Sequence, residues 1–205
     1  MASPSPPATR RGRARETRRQ TREQIVAAAT ELIRQQPYGE LGVDQVMREA
    51  GIGRTIFYRH FDDLGSLLVQ ASREAIERLY EAQRTIAEAE PGDASEAVRR
   101  ALEAGVEVYR VHGPLLRAVR EAAAVDEQVA QGYAEMLRRF DDLAEQALRR
   151  FASDADLADV AETARALNRM NESYLVDTFG REAKVEPKAA VDALTEVWEA
   201  VLRRS

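Results

Sequence analysis

Residues 50–61 of the chain read AGIGRTIFYRHF. This stretch follows a short segment of helical apolar spacing, and Gly51 can take a left-handed backbone at the end of such a helix without steric cost. Residues 54–61 then interleave apolar and aromatic side chains with arginine, threonine and histidine donors. A short helix, a tight glycine turn and a second short helix are the parts of a DNA-reading helix-turn-helix. The stretch therefore predicts double-stranded DNA as a partner.

Helical spacing continues on both sides of this stretch. Upstream, a helix is expected to begin at about Thr17 and to stop before Pro37. Its inward apolar face holds Ile25, Ala28, Ala29, Leu32 and Ile33. Downstream, Asp62 or Asp63 is expected to cap a long helix that reaches about Glu88.

The rest of the chain also reads as helices. A Pro-Gly-Asp break at residues 91–93 is the best domain boundary, and Gly113-Pro114 is expected to end the helix that follows it. The expected helical stretches are residues 94–112, 115–125, 127–151, 155–179 and 188–203. Because no strand-like alternation of useful length occurs, the sequence predicts an all-α protein.

Charge is distributed unevenly along the chain. The formal net charge is -5, but residues 1–22 hold seven arginines against one glutamate, so this segment carries +6 and the remainder -11. A positive arm on a negative body orients the molecule end-on toward a polyanion, although a solubilising tail would have the same composition. The prolines at positions 4, 6 and 7 lead us to expect a disordered basic arm over residues 1–16.

Composition excludes several classes of site. The chain has no cysteine, which rules out disulfides, thiolate metal sites and a cysteine nucleophile. His60 and His112 are the only histidines, and neither a metal nor a cofactor is expected. We interpret acids such as Glu121, Asp141 and Asp142 as parts of solvated helix faces. An enzyme is disfavoured because no acid–base pair is isolated in apolar surroundings.

The sequence also bears on where the protein works. No apolar run approaches the length that crosses a bilayer, so no membrane partner is expected. Residues 1–9 lack the apolar core of a secretory signal peptide. These features predict a cytoplasmic protein.

The helix-turn-helix stretch resembles a known family. Residues 50–53, residues 56–61 and the pair Leu67-Leu68 are similar to the signature of the tetracycline-repressor (TetR) family. In that signature a small residue and a glycine precede the turn, and a run of aromatic side chains ends the second helix. The resemblance implies a recognition helix in the major groove, whose first residues face base edges and whose aromatic end bonds phosphates.

The resemblance and the basic arm together give a set of expected contacts. The expected DNA-binding residues are Arg13, Arg15, Arg54, Thr55, Tyr58, Arg59 and His60. Arg54 and Thr55 are assigned to base edges, and Tyr58 and His60 to the phosphate backbone. From the residues alone, Tyr58 could instead be a core aromatic and His60 a helix cap.

Three features depart from the family pattern. Gly42 and Gly53 stand where the family often has a capping serine or threonine, and Leu64 stands where it commonly has a lysine. Asp62 and Asp63 lie close by and would repel DNA. Affinity for DNA phosphates is therefore expected to depend on the basic arm, because its arginines release counterions when they neutralise phosphates. The departures also keep open a second function, that of a helical small-molecule-binding protein without specific DNA binding.

The later part of the chain predicts a ligand site. Asn168 and Asn171 share one face of an otherwise apolar helix, and buried amides need partners, either a ligand carbonyl or a neighbouring helix. The expected ligand-binding residues are Tyr109, Leu116, Met136, Phe140, Asn168, Asn171, Leu175 and Trp198. Ordinary core packing would use the same aromatic and methionine side chains. Residues 166–172 and Trp198 are similar to the ethionamide-resistance-repressor (EthR) subgroup of the same family.

The resemblance also implies the overall organisation. Residues 17–62 form a three-helix DNA-binding domain, residues 63–90 a linking helix and residues 91–205 a helical domain for ligand binding and dimerisation. The last two helices pair with those of a second subunit through an apolar stripe of Val191, Leu194, Val197, Trp198 and Val201. Such a homodimer reads an inverted-repeat operator, and a small apolar or amphipathic ligand shifts the linking helix and releases the DNA.

Overall fold

The computed structural model describes residues 10–151, 159–183 and 185–202, with side chains from Arg15 onward except at Pro91. Its secondary structure within these ranges is entirely helical, which confirms the all-α prediction. The α-helices are α1 (Arg10–Gln35), α2 (Val43–Glu49), α3 (Leu64–Glu88), α4 (Ala94–Ala123), α5 (Glu127–Phe151), α6 (Val160–Phe179) and α7 (Pro187–Leu202). Short 3-10 helices lie at Tyr38–Glu40, Arg54–Arg59 and Pro91–Asp93.

The N-terminal helices enclose the first of two apolar cores. The predicted inward face of α1 packs there, with Ile25, Ala29 and Ile33 fully buried and Leu32 half-buried. Phe57 from the second helix of the helix-turn-helix fills the centre of this core, and Leu115 from α4 closes it from the other side. The DNA-binding unit therefore does not fold around its own residues alone, since α4 completes its core.

The turn of the helix-turn-helix has the geometry that its glycine predicts. Gly51 has a φ of 68°, the only positive φ among the described residues. The amide of Ile52 donates to the carbonyl of Met47 at 3.0 Å, and that of Gly51 donates to Arg48 at 3.1 Å. These two bonds form the Schellman motif that ends α2. They fix the direction in which the next helix leaves.

Asp63 is the residue that caps α3. Its carboxylate accepts a hydrogen bond from the amide of Ser66 at 2.7 Å, while the Ser66 hydroxyl lies 3.2 Å from the Asp63 amide. This reciprocal arrangement satisfies amides that the first turn of a helix leaves unpaired. It places the start of the linking helix where the sequence predicts it.

The predicted break at Gly113-Pro114 is wrong, because α4 runs through both residues. Pro114 costs the helix one hydrogen bond, yet Tyr109 and Leu116 on either side are both buried and hold the two halves in line. Gly113 has a different role. A Cβ there would lie 2.2 Å from the carbonyl oxygen of Phe179, so α4 and the end of α6 touch backbone to backbone.

Several other helix boundaries differ from the sequence-based expectation. α1 begins at Arg10, seven residues before the predicted start, because arginine and glutamate are good helix formers even without an apolar face. The expectation of a disordered arm over residues 1–16 is therefore wrong for residues 10–16, and residues 1–9 lie outside the described residues. The second helix of the helix-turn-helix is a 3-10 helix that ends at Arg59 rather than at Phe61. α6 begins after Asp159, whose carboxylate accepts from the Glu162 amide at 3.1 Å, and the predicted start at residue 155 lies outside the described residues.

α4 is the central helix of the C-terminal part and packs against α3, α5, α6 and α7. The α7 side chains that pack against α4 are those of Val191, Leu194 and Trp198, and all three are buried within this one chain. The prediction that these three residues face a second subunit is therefore wrong, since they complete the chain's own core. Val197 of the same predicted stripe is 39% exposed.

Candidate functional site

The polar side of the second helix of the helix-turn-helix faces solvent. Tyr58 is 54% exposed, so it is not a core aromatic. Arg54, Thr55 and Arg59 are also exposed, and His60 is half-buried. All five predicted contacts on this helix thus lie on the surface, where a duplex can approach them.

Two phenylalanines hold this surface in place. Phe57 and Phe61 are buried, with their ring centroids 5.6 Å apart, and Tyr58 meets the edge of Phe57 at 5.4 Å. Edge-to-face and tilted ring pairs of this kind are favourable beyond their buried area. Because the anchoring side chains face inward, the polar side chains between them must face outward.

Helix α1 brings further positive charge to the same surface. The Arg18 guanidinium donates to the carbonyl of Arg59 at 3.2 Å, and the Arg22 guanidinium lies 5.5 Å above the ring of Phe61. Neither arginine was among the contacts expected from the sequence, although their spacing of four residues places both on one face of a helix. Of the predicted arm residues, Arg15 is exposed on α1 and the side chain of Arg13 lies outside the described residues.

The charge of this surface also acts on His60. Partial burial and the neighbouring Arg18, Arg22 and Arg59 hold the pKa of its imidazole below the usual value. The ring is therefore neutral at neutral pH and offers one N–H as a hydrogen-bond donor rather than a positive charge.

The family's missing capping groups are partly replaced by other contacts. The Gln45 carbonyl oxygen accepts from the amide of Gly42 at 2.8 Å at the start of α2.

Two acidic side chains near this surface already have partners. Asp63 uses its carboxylate in the cap of α3, and Asp44 pairs with Arg54 at 2.9 Å. The Arg54 guanidinium is therefore paired with a surface carboxylate.

A cavity lies between α3, α4, α5, α6 and α7. It contains about 900 Å³ of empty space, part of it open to solvent. All of the predicted ligand-binding residues line it: Tyr109, Leu116, Met136, Phe140, Asn168, Asn171, Leu175 and Trp198. The sequence missed the wall that α3 contributes, namely Ile76, Leu79, Ala82, Gln83 and Ile86.

The two predicted asparagines have different surroundings. Asn168 is tied to the protein, since its carbonyl oxygen accepts from Gln83 of α3 at 3.1 Å and its amide group donates to Asp141 at 3.1 Å. Asn171 also lines the cavity, but its buried Oδ1 atom has no hydrogen-bond partner among the described residues. A neighbouring helix is thus the partner of Asn168 and not of the Asn171 Oδ1 atom.

A second unpaired polar atom belongs to Trp198 of α7, which also lines the cavity. The buried indole N–H of Trp198 has no acceptor within the part of the chain that the structure describes, although the side chain is almost completely enclosed. An unpaired buried donor or acceptor costs about 1–3 kcal/mol, so both atoms favour an occupant that bonds to them. The mostly apolar lining of the cavity therefore includes one unpaired acceptor and one unpaired donor.

The expectation that Asp141 is a solvated acid is wrong, and an acid also lines the cavity. Asp141 is 17% exposed because Arg169 binds it with two bonds of 3.1 and 3.0 Å. Glu172 is 16% exposed and accepts from the Tyr133 hydroxyl at 2.7 Å, a bond that together with burial raises the pKa of Tyr133. Within the described ranges no three acidic or histidine side chains converge on a candidate metal site.

Two α4 residues next to the cavity reach into the DNA-binding unit. Arg117 is buried and donates to the carbonyl of Ile33, in the last turn of α1, at 2.9 Å. Glu121 accepts from the amide of Tyr38 at 2.9 Å and lies 3.5 Å from the Arg117 Nε atom. Burial lowers the pKa of Arg117, and the nearby Glu121 opposes that shift. α4 thus holds both sides of the turn that follows α1, while Leu116 on the same helix lines the cavity.

Two family profiles match the chain. The profile of bacterial regulatory proteins of the tetR family matches residues 25–71, and that of the C-terminal domain of transcriptional regulator EthR matches residues 98–202. The first spans the helix-turn-helix and the start of α3, and the second spans most of α4 to α7. No described helix is both long and apolar enough to span a membrane.

Relatives of the chain are regulators rather than enzymes. The HTH-type transcriptional regulator EthR of Mycolicibacterium smegmatis is 26% identical over 179 residues, or 85% of this chain and 82% of the relative. EthR of Mycobacterium tuberculosis is 27% identical over 180 residues, or 85% and 83% of the two chains.

Solved structures share the fold. A transcriptional regulator from Rhodococcus sp. Rha1 has a TM-score of 0.72 at 16% identity and covers 89% of this chain and 96% of its own. The TetR family regulator PfmR from Thermus thermophilus has a TM-score of 0.69 at 20% identity, with coverage of 87% and 97%. With the exposed helix-turn-helix and the profile that covers half of the sequence, these findings show that the chain belongs to the TetR family of bacterial transcriptional regulators and has a C-terminal domain of the EthR type.

Proposed function

We propose that the protein is a ligand-responsive repressor that binds an inverted-repeat operator as a dimer and is released by a small apolar or amphipathic ligand. One observation carries the proposal: a single helix, α4, lines the apolar cavity and also completes the core of the DNA-binding unit. An occupant that moves α4 must therefore move the unit that carries the helix-turn-helix.

The DNA contacts divide into two classes. Arg54 and Thr55, at the start of the second helix, read base edges in the major groove. Tyr58, Arg59 and His60 bond phosphates, together with Arg18 and Arg22 of α1 on the same surface. The basic arm, including Arg13 and Arg15, adds affinity that depends on salt rather than on sequence.

The dimer would use the outer faces of α6 and α7. Exposed small side chains form a stripe along α7 at Ala193, Val197 and Ala200, and Ala166 and Ser173 are exposed on α6. Small side chains let the helices of two copies approach closely and pack. A two-fold dimer presents two recognition helices to two half-sites, as an inverted repeat requires.

Release follows from the contacts between α4 and the turn after α1. A ligand that displaces Leu116 or Tyr109 shifts α4, and Arg117 and Glu121 pass that shift to the carbonyl of Ile33 and the amide of Tyr38. The separation of the two recognition helices then no longer matches the half-sites. By linkage, the ligand and the DNA weaken each other by the same factor.

DNA selectivity tests the proposal directly. The full chain should bind a duplex from the intergenic region upstream of its own gene about 1,000-fold more tightly than a shuffled duplex, as measured by fluorescence anisotropy at physiological salt. The preference arises because base contacts add to a phosphate term that both duplexes share.

The control separates the basic arm from the helix-turn-helix. Deletion of residues 1–16 should lower affinity for both duplexes and flatten the salt dependence while leaving the preference. Equal affinity of the full chain for the two duplexes would contradict the repressor proposal. It would leave a helical small-molecule-binding protein with a charge-driven affinity for DNA.

A further inference from the structure

The charge of the cavity wall is one-sided. Among the described residues that line the cavity, Glu172 alone carries a formal charge. The other polar groups of the wall are the neutral side chains of Gln83, Asn168, Asn171, Trp198 and the two tyrosines, Tyr109 and Tyr133. No lysine or arginine is among these lining residues, so an anionic ligand would find no cation to pair with there.

The charge of Glu172 is only partly balanced from outside the cavity. Arg120 approaches its Oε2 atom to 3.9 Å but bonds the Asp177 carboxylate more closely, at 2.8 Å. The other nearby guanidinium, that of Arg169, is committed to Asp141 by two bonds. The guanidinium groups of Arg120 and Arg169 thus face three carboxylates, those of Glu172, Asp177 and Asp141. One negative charge is left unbalanced, and Glu172 is the carboxylate that lines the cavity.

The surroundings of Glu172 also suit a positive group. The unpaired Oδ1 acceptor of Asn171 belongs to the neighbouring residue on α6. Tyr109 is buried close enough for the field of Glu172 to raise the pKa of its phenol further. The tyrosine rings offer π faces that attract cations. Acceptors and aromatic faces are the groups that recognise an ammonium.

We infer that the ligand cavity is selective for lipophilic cations, such as a primary ammonium on an alkyl chain, with the ammonium between Glu172 and Asn171 Oδ1. The alkyl chain lies against the apolar wall formed by Phe140, Leu175 and Trp198. This inference rests on the proposed function of the cavity as the ligand site and adds the charge class of the ligand. It excludes fatty acids and other amphipathic anions, which would place a second negative charge beside Glu172.

Three probes of equal chain length separate the charge classes. Dodecylamine, dodecanol and dodecanoate are titrated at pH 7, below their micelle concentrations, into the full chain. Binding is followed by the fluorescence of Trp198, which is the only tryptophan and lines the cavity. Dodecylamine should bind at least about tenfold more tightly than dodecanol, because a charge-assisted bond to Glu172 is lost in the alcohol. Dodecanoate should bind more weakly than either.

A matched pair of variants attributes the preference to one carboxylate. Glu172→Gln keeps the shape and the bond from Tyr133, and should remove the advantage of dodecylamine while leaving dodecanol binding within about threefold. Glu162→Gln makes the same change on the exposed side of α6 and should leave the order of the three probes unaltered. Thermal melting of both variants shows that each is folded.

The outcomes distinguish the charge class from the site itself. Dodecanol binding as tightly as dodecylamine, or an unchanged preference in Glu172→Gln, would overturn the cation selectivity and leave the cavity as a ligand site. If none of the probes changed Trp198 fluorescence, the cation selectivity and the proposed ligand site would both be wrong.

Discussion

Arg54→Ala is expected to weaken binding to the upstream duplex by about 30-fold or more while changing the affinity for a shuffled duplex little. A side chain that reads a base contributes about 1–3 kcal/mol of discrimination, and the dimer presents Arg54 twice. The residue is exposed and interacts with two other exposed side chains, the carboxylate of Asp44 and the hydroxyl of Tyr58, so its removal leaves the fold intact. Fluorescence anisotropy with both duplexes measures the change.

Two control variants separate base reading from charge. Tyr58→Phe removes a phosphate-bonding hydroxyl and should weaken both duplexes about equally. Arg138→Ala removes an equally exposed arginine from α5, where it pairs with Glu135 and Asp142, and should change neither affinity by more than about twofold. If Arg54→Ala behaved like Arg138→Ala, the second helix of the helix-turn-helix would not read bases.

Gly113→Ala is expected to lower the free energy of unfolding by about 3 kcal/mol or more, or to prevent folding. The new Cβ would lie 2.2 Å from the Phe179 carbonyl oxygen and 2.7 Å from its carbonyl carbon, which are backbone atoms that no side-chain rotation can move away. α4 and α6 must then separate, and overpacking of this kind costs more when backbone has to shift. Urea unfolding at a fixed protein concentration measures the change.

Gly132→Ala is the matched control for this substitution. Gly132 also lies inside a helix, α5, but a Cβ at that position meets no atom within 4 Å. Alanine is the better helix former, so this variant should be up to about 1 kcal/mol more stable than the parent. Equal effects at the two glycines would show that α4 and α6 are not in close contact at Gly113.

Local chemistry predicted the helix-turn-helix well. Gly51 takes the left-handed conformation, Asp63 caps α3, and Phe57 faces inward while Tyr58 faces outward. Each of these features depends on residues within a few positions of one another, which a sequence shows directly. The same reasoning missed Arg18 and Arg22, because their place beside Arg59 depends on how α1 folds back over the recognition helix.

Long-range packing accounts for the errors in the C-terminal part. Pro114 is a strong local signal for a helix end, but burial of its neighbours on α4 overrides it. The apolar stripe of α7 indicates a buried face without saying which partner buries it, and that partner is α4 of the same chain. The sequence could not place the Gln83 side chain in the cavity, because α3 forms a wall only when it packs against the other helices of the cavity.

In the proposed switch, occupancy of the cavity and binding of the operator are coupled through α4. The most direct measurement is the affinity for the upstream duplex with and without a saturating dodecyl probe, with Trp198 fluorescence confirming occupancy in the same sample. The occupied protein should bind the duplex at least about tenfold more weakly, within the usual range of coupling between two sites. Full occupancy reported by Trp198 with unchanged duplex affinity would show that α4 does not couple the two sites.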